Sequence, residues 1–302
     1  MARFTSETVV KPLLGFLALL SLVFLAGILV ILLTESGPFF GEYNPIEFFT
    51  GTQWYPTLET QNAAGDWVAN PRFGLLPLLT ASLQVTLLAL AIALPLSLGA
   101  AIFLAEIAPP VLREIIKPLI ELLAGIPSVV FGFIGMVLVA PFIKDLFAIP
   151  IGLNGLSASI VLAFMAFPTI TSLAEDAISA VPRDLKEASL AMGANRWETT
   201  SRVMLPAARS GIYSAVILGF GRVIGETMTV LMVAGGGAAL TLNPLSPLRP
   251  MTATIALEMG EAVQGGPHYH ALFALALLLL VITLAFNLLA ERIRGGRRES
   301  LK

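Results

Sequence analysis

Residues 182–206 read PRDLKEASLAMGANRWETTSRVMLP and form the one long, strongly charged interruption in an otherwise mostly apolar chain. We call this stretch the charged segment. Hydrophobic residues make up 56% of the 302-residue sequence and charged residues only 13%, whereas a soluble globular domain carries about 25% charged residues. The composition therefore predicts an integral membrane protein in which the charged segment joins two spans.

The charged segment has more internal order than a simple connecting loop requires. Its first part predicts a helix over residues 183–192 with an apolar stripe at helical spacing, formed by Leu185, Ala188 and Met192. Gly193 is expected to end this helix because glycine adopts the left-handed C′ conformation at low cost. A second helical piece starts at Arg196. The stripe indicates docking into a groove on a partner, and packing on this chain's own spans or on lipid headgroups is the alternative.

Six apolar runs are long enough to cross a hydrocarbon core of about 30 Å. They predict an all-α membrane protein with six transmembrane helices, at residues 12–34, 73–105, 122–143, 154–174, 210–233 and 271–290. The second run is too long for one straight helix, so Pro77 and Pro95 are expected to break or kink it. Residues 106–117 are expected to form a short charged loop, and residues 251–262 a helix too short to cross.

The first apolar run also resembles a secretory signal peptide, because Arg3 and Lys11 precede it. An apolar signal region has about 7–15 residues and this run is longer, so we interpret it as a retained span, with a cleaved signal as the alternative. The chain then divides into three parts: a first span with an external segment, a five-helix core that contains the charged segment, and a basic tail, at residues 1–72, 73–290 and 291–302.

Positive charge is distributed very unevenly between the two sides of these six spans. Fourteen of the 18 Lys and Arg residues lie in the two termini, the second-to-third loop and the fourth-to-fifth loop that contains the charged segment. Three lie on the other side, and Arg222 lies within a span. Because cytoplasmic loops carry the excess of Lys and Arg, both termini and the charged segment are predicted to be cytoplasmic.

The predicted external segment, residues 35–72, is rich in aromatic residues: Phe39, Phe40, Tyr43, Phe48, Phe49, Trp54, Tyr55 and Trp67. Two interpretations stay open. The rings could form a belt at the headgroup level, where amphipathic aromatic side chains are favoured, or a docking surface for an external partner. The two histidines, His268 and His270, are interpreted as interfacial residues without a chemical role.

Several chemical functions lack their motifs in this sequence. Cysteine is absent, which excludes disulfides, thiolate metal sites and cysteine nucleophiles, and no metal or cofactor is expected. None of the five lysines follows a glycine, so the chain has no phosphate-binding loop of the GxxxxGK[ST] type. If the protein uses ATP, a partner is expected to hydrolyse it.

Two charges lie within the fifth predicted span, Arg222 and Glu226. On a continuous helix they are four residues apart and share a face. Each charge at the bilayer centre costs about 2.5–3.5 kcal/mol on insertion scales, so such residues pair or line a polar path. One interpretation is a mutual ion pair that holds two spans together. The other is that the Arg222 guanidinium binds an anionic solute, while Glu226 orients it or limits how tightly the anion is held.

The charged segment resembles the EAA motif of bacterial ABC importer permeases. That motif has EAA, three residues, a glycine, nine residues and I-x-L-P, and here Glu187-Ala188-Ser189, Gly193 and Val203-Met204-Leu205-Pro206 match it. Ser189 replaces an alanine, and Val203 replaces an isoleucine. The resemblance implies a type I importer permease with a MetI-like core, whose coupling helix docks on an ATPase through Leu185, Glu187, Ala188, Ser189, Met192 and Gly193.

Three further stretches resemble the phosphate-specific (Pst) importer permeases, and the C-type subunit more than its A-type partner. They read AIFLAEIAP, GIPSVVFGFIG and GRVIGETMTVLMVAGG, at residues 101–109, 125–135 and 221–236. Gly236 departs from an asparagine that is frequent in that family. The resemblance covers about residue 48 to the end of the chain, and it implies a solute path past Arg222, Glu226 and Thr227.

The same resemblance implies a set of partners in a bacterial inner membrane. These are a second, related permease, two copies of one ATPase and an external phosphate-binding protein, with no role for nucleic acid. Another oxyanion, such as sulfate or molybdate, is the alternative solute. A proton-coupled secondary transporter that uses Arg222 and Glu226 as a relay is a third hypothesis, but such a carrier needs no docking helix. A membrane-embedded enzyme lacks support because the sequence has no cysteine and no HExxH.

Overall fold

The computed structural model describes residues 2–61 and 66–295, which are predominantly helical. The α-helices are α1 (Ala2–Glu42), α2 (Pro45–Thr50), α3 (Leu76–Ile102), α4 (Pro110–Ala124), α5 (Ser128–Ile134), α6 (Ala140–Leu146), α7 (Gly155–Ser179), α8 (Arg183–Ala191), α9 (Arg196–Thr199), α10 (Leu205–Ile224), α11 (Met228–Val233), α12 (Met251–Glu258) and α13 (Pro267–Gly295). Three π-helical stretches are π1 (Phe103–Ile107), π2 (Gly135–Val139) and π3 (Thr200–Met204). Four short strands pair antiparallel, β1 (Trp54–Tyr55) with β4 (Arg72–Phe73) and β2 (Glu59–Gln61) with β3 (Trp67–Ala69).

Six helical stretches in the described part of the chain are long and apolar enough to cross a membrane, which confirms the predicted number of spans. They are Val10–Glu42, Leu76–Ile107, Ser128–Leu146, Gly155–Ser179, Arg196–Ile224 and Pro267–Leu289. Part of the predicted basic tail, including Arg297, Arg298 and Lys302, lies outside the described residues. The architecture is that of an all-α integral membrane protein.

The second span does not break at its prolines, so the break that was predicted as one of two outcomes, beside a kink, is wrong. α3 continues through Pro95 and passes directly into π1. Pro77 lies in the first turn, where no intrahelical amide bond is lost, and neighbouring helices can satisfy the group that Pro95 leaves free. The predicted charged loop over residues 106–117 is also wrong, because Glu106 lies in π1 and α4 begins at Pro110.

The third span begins later than predicted. α4 ends at Ala124 and α5 begins at Ser128, so residues 122–124 belong to the preceding helix. Pro127 explains the interruption, because the residue before a proline is pushed out of the helical region. From Ser128 the chain runs through α5, π2 and α6 to Leu146. The interruption leaves the Ala124 carbonyl oxygen at the end of α4 free to accept a bond from another helix.

Five of the eight aromatic rings named in the external segment pack within the chain, so a belt or a docking surface made of all eight rings is not formed. Phe39, Phe48 and Trp54 are fully buried, and they pack with Phe73 against the start of α13. Phe39 meets Phe48 edge-to-face with ring centroids 5.2 Å apart. α1 reaches this cluster because it continues to Glu42 instead of ending near residue 34. Phe49, Tyr55 and Trp67 remain exposed.

α7 is the central helix of the core and packs against α3 and α10. Small residues allow this close packing. A Cβ added at Gly219 would lie 2.6 Å from the Ile170 side chain, and one added at Gly211 would lie 2.3 Å from the Ala177 Cβ. These contacts place α10, which continues the charged segment, directly on the central helix.

A buried carboxylate joins the external segment to the last two helices. Glu258, at the end of α12, accepts hydrogen bonds from Trp54 Nε1 at 2.9 Å and from Arg249 Nη1 at 2.7 Å. His268 Nε2 lies 2.9 Å from Glu258 Oε2, the same oxygen that accepts the Trp54 bond, and His270 Nδ1 lies 2.7 Å from the Glu35 carbonyl oxygen. The two histidines, interpreted from sequence as interfacial, thus take part in polar packing contacts.

Replacing Glu258 by alanine is expected to destabilise the protein. The substitution leaves Arg249 and Trp54 without their shared acceptor, and breaking a buried ion pair typically costs about 3–5 kcal/mol. The thermal unfolding midpoint of the detergent-purified protein should fall by more than about 5 °C. The matched control is Glu47→Ala, which removes an exposed pair with Arg72 worth at most about 1 kcal/mol. Equal midpoints for the two variants would contradict the prediction.

Candidate functional site

α8 begins at Arg183 and ends at Ala191, which confirms the helix predicted at the start of the charged segment. Gly193 has a φ of +91°, so the chain turns there in the left-handed conformation that favours glycine. The stripe faces away from the rest of the chain: its three residues are exposed, and Met192 is 88% accessible. Glu187 is also exposed. The alternative in which the stripe packs on this chain's own spans is therefore wrong.

A different side of α8 holds the helix to the membrane core. Lys186 Nζ lies 2.6 Å from Glu106 Oε2 in π1. Ser189 Oγ lies 3.0 Å from Thr199 Oγ1 in α9. Sequence reasoning missed the role of Glu106, although its position as the first charge after a long apolar run was a usable signal. The Ser189 departure from the EAA motif thus supplies a hydroxyl that bonds α8 to α9.

The second half of the charged segment enters the fifth span without interruption. The Asn195 side chain accepts the Glu198 amide N–H at 2.9 Å, and the Glu198 carboxylate accepts the Asn195 amide N–H at 2.9 Å. This capping box starts α9, which passes through π3 into α10. The helix of the fifth span therefore begins well before residue 210, since Pro206 lies in the first turn of α10 and is tolerated there.

The predicted shared face of Arg222 and Glu226 does not exist, because the fifth span is broken between them. α10 ends at Ile224, and α11 begins at Met228. Glycine at position 225 favours this ending by lowering helix propensity. No ion pair joins Arg222 to Glu226 in the part of the chain that the structure describes. The interpretation of the two charges as a mutual ion pair is therefore wrong.

Arg222 instead contacts the interruption in the third span. Its Nη2 donates to the Ala124 carbonyl oxygen at the end of α4, at 3.2 Å. Its Nε is buried and has no hydrogen-bond partner among the described residues. Next to this contact, Thr229 Oγ1 donates to the Ser128 carbonyl oxygen at 3.0 Å. The breaks of the third and fifth spans thus lie side by side.

Glu226 and Thr227 occupy the break itself. The Glu226 carboxylate accepts the Thr229 amide N–H at 3.3 Å, and its carbonyl oxygen accepts the Thr252 hydroxyl at 2.8 Å. Thr227 is partly exposed, and its hydroxyl donates to the nearby Gly225 carbonyl oxygen at 3.4 Å. The structure therefore brings the three predicted path residues to one interruption, where Thr252 of α12 contacts Glu226.

A second charged cluster lies between α4 and the end of α7. The buried Glu175 carboxylate accepts bonds from Arg113 and, at 2.6 Å, from Lys117 Nζ, which also pairs with Asp176. Burial lowers the pKa of Lys117, but hydrogen bonds to Asp176 and Glu175 outweigh it and raise the pKa overall. The described residues contain no group of three or more His, Cys, Asp or Glu residues that could hold a metal ion.

Solved structures of importers share this fold. The chain matches a chain of the inward-facing MetNI methionine ABC transporter with a TM-score of 0.55 and 19% identity, over 74% of this chain and 94% of that one. It also matches a chain of a bacterial ABC transporter involved in the import of the acidic polysaccharide alginate. That match has a TM-score of 0.56 and 15% identity, over 74% of this chain and 78% of that one. The core is therefore MetI-like.

Sequence relatives cover most of the chain. It is 39% identical to the probable ABC transporter permease protein YqgH of Bacillus subtilis over 84% of this chain and 79% of that protein. It is 36% identical to the phosphate transport system permease protein PstC of Mesorhizobium japonicum, over 88% of this chain and 83% of that protein. A family model matches residues 97–295. The chain belongs to the family of binding-protein-dependent transport system inner membrane components.

Proposed function

We propose that this chain is the permease subunit of an ATP-driven importer of inorganic phosphate. The observation that carries the solute assignment is the Arg222 guanidinium, which is held at a broken span with a buried, unpartnered Nε. A guanidinium presents a planar fork of donors that matches the oxygens of phosphate. Relatives curated as phosphate transport system permease proteins support the same solute.

In the proposed assembly this chain makes and breaks no covalent bond. A second, related permease completes the path, two copies of a separate ATPase hydrolyse ATP, and an external phosphate-binding protein delivers the solute. The exposed stripe on α8 supports ATPase docking through Leu185, Glu187, Ala188, Ser189, Met192 and Gly193. The excess of Lys and Arg supports a bacterial inner membrane orientation with both termini cytoplasmic.

The proposed division of labour follows the three predicted parts of the chain. Residues 1–72 supply the first span and the external segment, residues 73–290 form the permease core, and residues 291–302 form the cytoplasmic tail. ATP binding closes the ATPase dimer and moves the charged segment. Phosphate then passes Arg222, while Glu226 and Thr227 line the same break and the Glu226 charge limits how tightly the anion is held.

Radiolabelled phosphate uptake tests the solute directly. The permease pair, the ATPase and the binding protein are reconstituted in proteoliposomes, and uptake is measured with and without ATP. We expect ATP-dependent phosphate uptake that a tenfold excess of sulfate leaves largely unchanged. Equal competition by sulfate would favour a general oxyanion permease instead. Uptake that needs no ATPase and follows the proton gradient would contradict the ABC importer proposal.

A further inference from the structure

We propose that the ion pair between Glu106 and Lys186 is the joint through which movement of α8 reaches α3. The inference rests on the proposed function, because it takes α8 to be the element that an ATPase moves. Beyond that function, it identifies α3 as the span that α8 moves and the Glu106–Lys186 ion pair as the contact that moves it. The contact joins two stretches that sequence patterns treat separately, the charged segment and the end of the second span.

The two sides of α8 are arranged for this role. Lys186 and Leu190 are four residues apart and so lie on one face, separate from the exposed stripe. With Ile102 and Glu106 they line a cavity of about 480 Å³ between α8 and the end of α3. An ATPase can therefore occupy the stripe without disturbing the pair, and the pair can transmit the resulting displacement.

The Glu106 carboxylate makes this contact stronger than an ordinary surface ion pair. Its side chain is 7% exposed, and Lys186 is the only cation paired with it among the residues whose contacts are described. Without Lys186 the buried carboxylate would have no counter-charge, which is costly in a low-dielectric surrounding. Glu106 also lies in π1, and π-helical turns inside longer helices frequently mark functional positions.

α3 connects this joint to the candidate solute site. The helix has 27 residues and so extends about 40 Å at 1.5 Å per residue. Towards its other end the Ser82 hydroxyl accepts the Met251 amide N–H at 2.9 Å. The next residue, Thr252, donates to the Glu226 carbonyl oxygen. A shift of Glu106 is therefore relayed by one continuous helix to α12 and to the break beside Arg222.

Lys186→Met is the variant that tests the joint, because methionine keeps much of the side-chain length and removes the charge. In the reconstituted transporter we expect the ATPase to remain bound, while solute uptake per ATP hydrolysed falls at least tenfold. Glu106→Gln should have the same effect. Glu114→Gln is the matched control, since Glu114 is an exposed carboxylate on α4, and its uptake per ATP should equal that of the wild type.

A charge reversal distinguishes loss of the ion pair from misfolding of the single variants. The double variant Glu106→Lys with Lys186→Glu should transport several-fold faster than either single reversal, because the pair is re-formed with opposite polarity. Wild-type uptake per ATP in Lys186→Met would overturn the joint. Loss of ATPase binding in Lys186→Met, with no rescue by the double reversal, would also overturn it. By contrast, absence of phosphate uptake by the wild-type complex would contradict only the proposed solute.

Discussion

Arg222→Gln is expected to reduce phosphate uptake at least 100-fold while the complex still assembles. A hydrogen bond to a charged group contributes about 1.5–3 kcal/mol, and a phosphate held by two guanidinium N–H groups would lose both. Because each 1.4 kcal/mol is about a factor of ten, the combined loss exceeds 100-fold. Radiolabelled uptake in proteoliposomes measures the effect, and co-purification of the ATPase measures assembly.

Two further variants separate solute binding from structural support by Arg222. Arg72→Gln is the matched control, because the Arg72 side chain forms an exposed ion pair with Glu47, and it should transport like the wild type. Glu226→Gln keeps an oxygen that can cap α11 and removes the charge. Uptake should therefore persist, with a lower phosphate concentration at half-maximal rate and a slower maximal rate. If Arg222→Gln instead prevents assembly, its bond to the Ala124 carbonyl oxygen is its main role.

Gly193→Pro is expected to abolish ATP-dependent uptake without preventing membrane insertion. Proline fixes φ near −65°, whereas Gly193 has a φ of +91°, so the turn between α8 and α9 cannot form. The exposed stripe then loses its position relative to the spans. Uptake, ATPase co-purification and the amount of permease in the membrane fraction together test this prediction.

Gly193→Asn is the informative comparison for the turn. Asparagine tolerates the left-handed conformation better than other non-glycine residues, and a Cβ at Gly193 would meet nothing within 4 Å. We therefore expect this variant to transport at a rate between those of the wild type and Gly193→Pro. Normal uptake by Gly193→Pro would contradict the assignment of the charged segment as the coupling element.

Apolar run length and motif spacing were sufficient for most of the fold. Local patterns predicted six spans, a helix over residues 183–192 that is observed over Arg183–Ala191, and the turn at Gly193. Motif spacing indicated the family. One error concerned a proline, because the effect of this residue on a helix depends on its context. Pro95 is accommodated inside α3, while Pro127 interrupts the third span. Local sequence cannot separate these cases, because neighbouring helices decide whether a lost hydrogen bond is replaced.

The candidate site was only partly predictable. Arg222 and Glu226 stood out because charges within a span are costly, but the assumed continuous helix placed them on one face. The break at Gly225 gives each its own partners, Ala124 for Arg222 and Thr229 for Glu226. These partners are distant in sequence or depend on the break, so spacing rules for a regular helix could not indicate them.

By itself, the sequence determined that this chain has six apolar spans and a short helix that resembles the coupling helix of ABC importer permeases. The length of an apolar run and the spacing of the residues that match the EAA motif are local properties, so a single sequence is enough to recognise them. Only the tertiary structure decided which groups the charges meet. It paired Lys186 with Glu106 and placed Arg222 beside the break in the third span. Those contacts arise from packing between distant helices, where the high cost of an unpaired charge selects the partner.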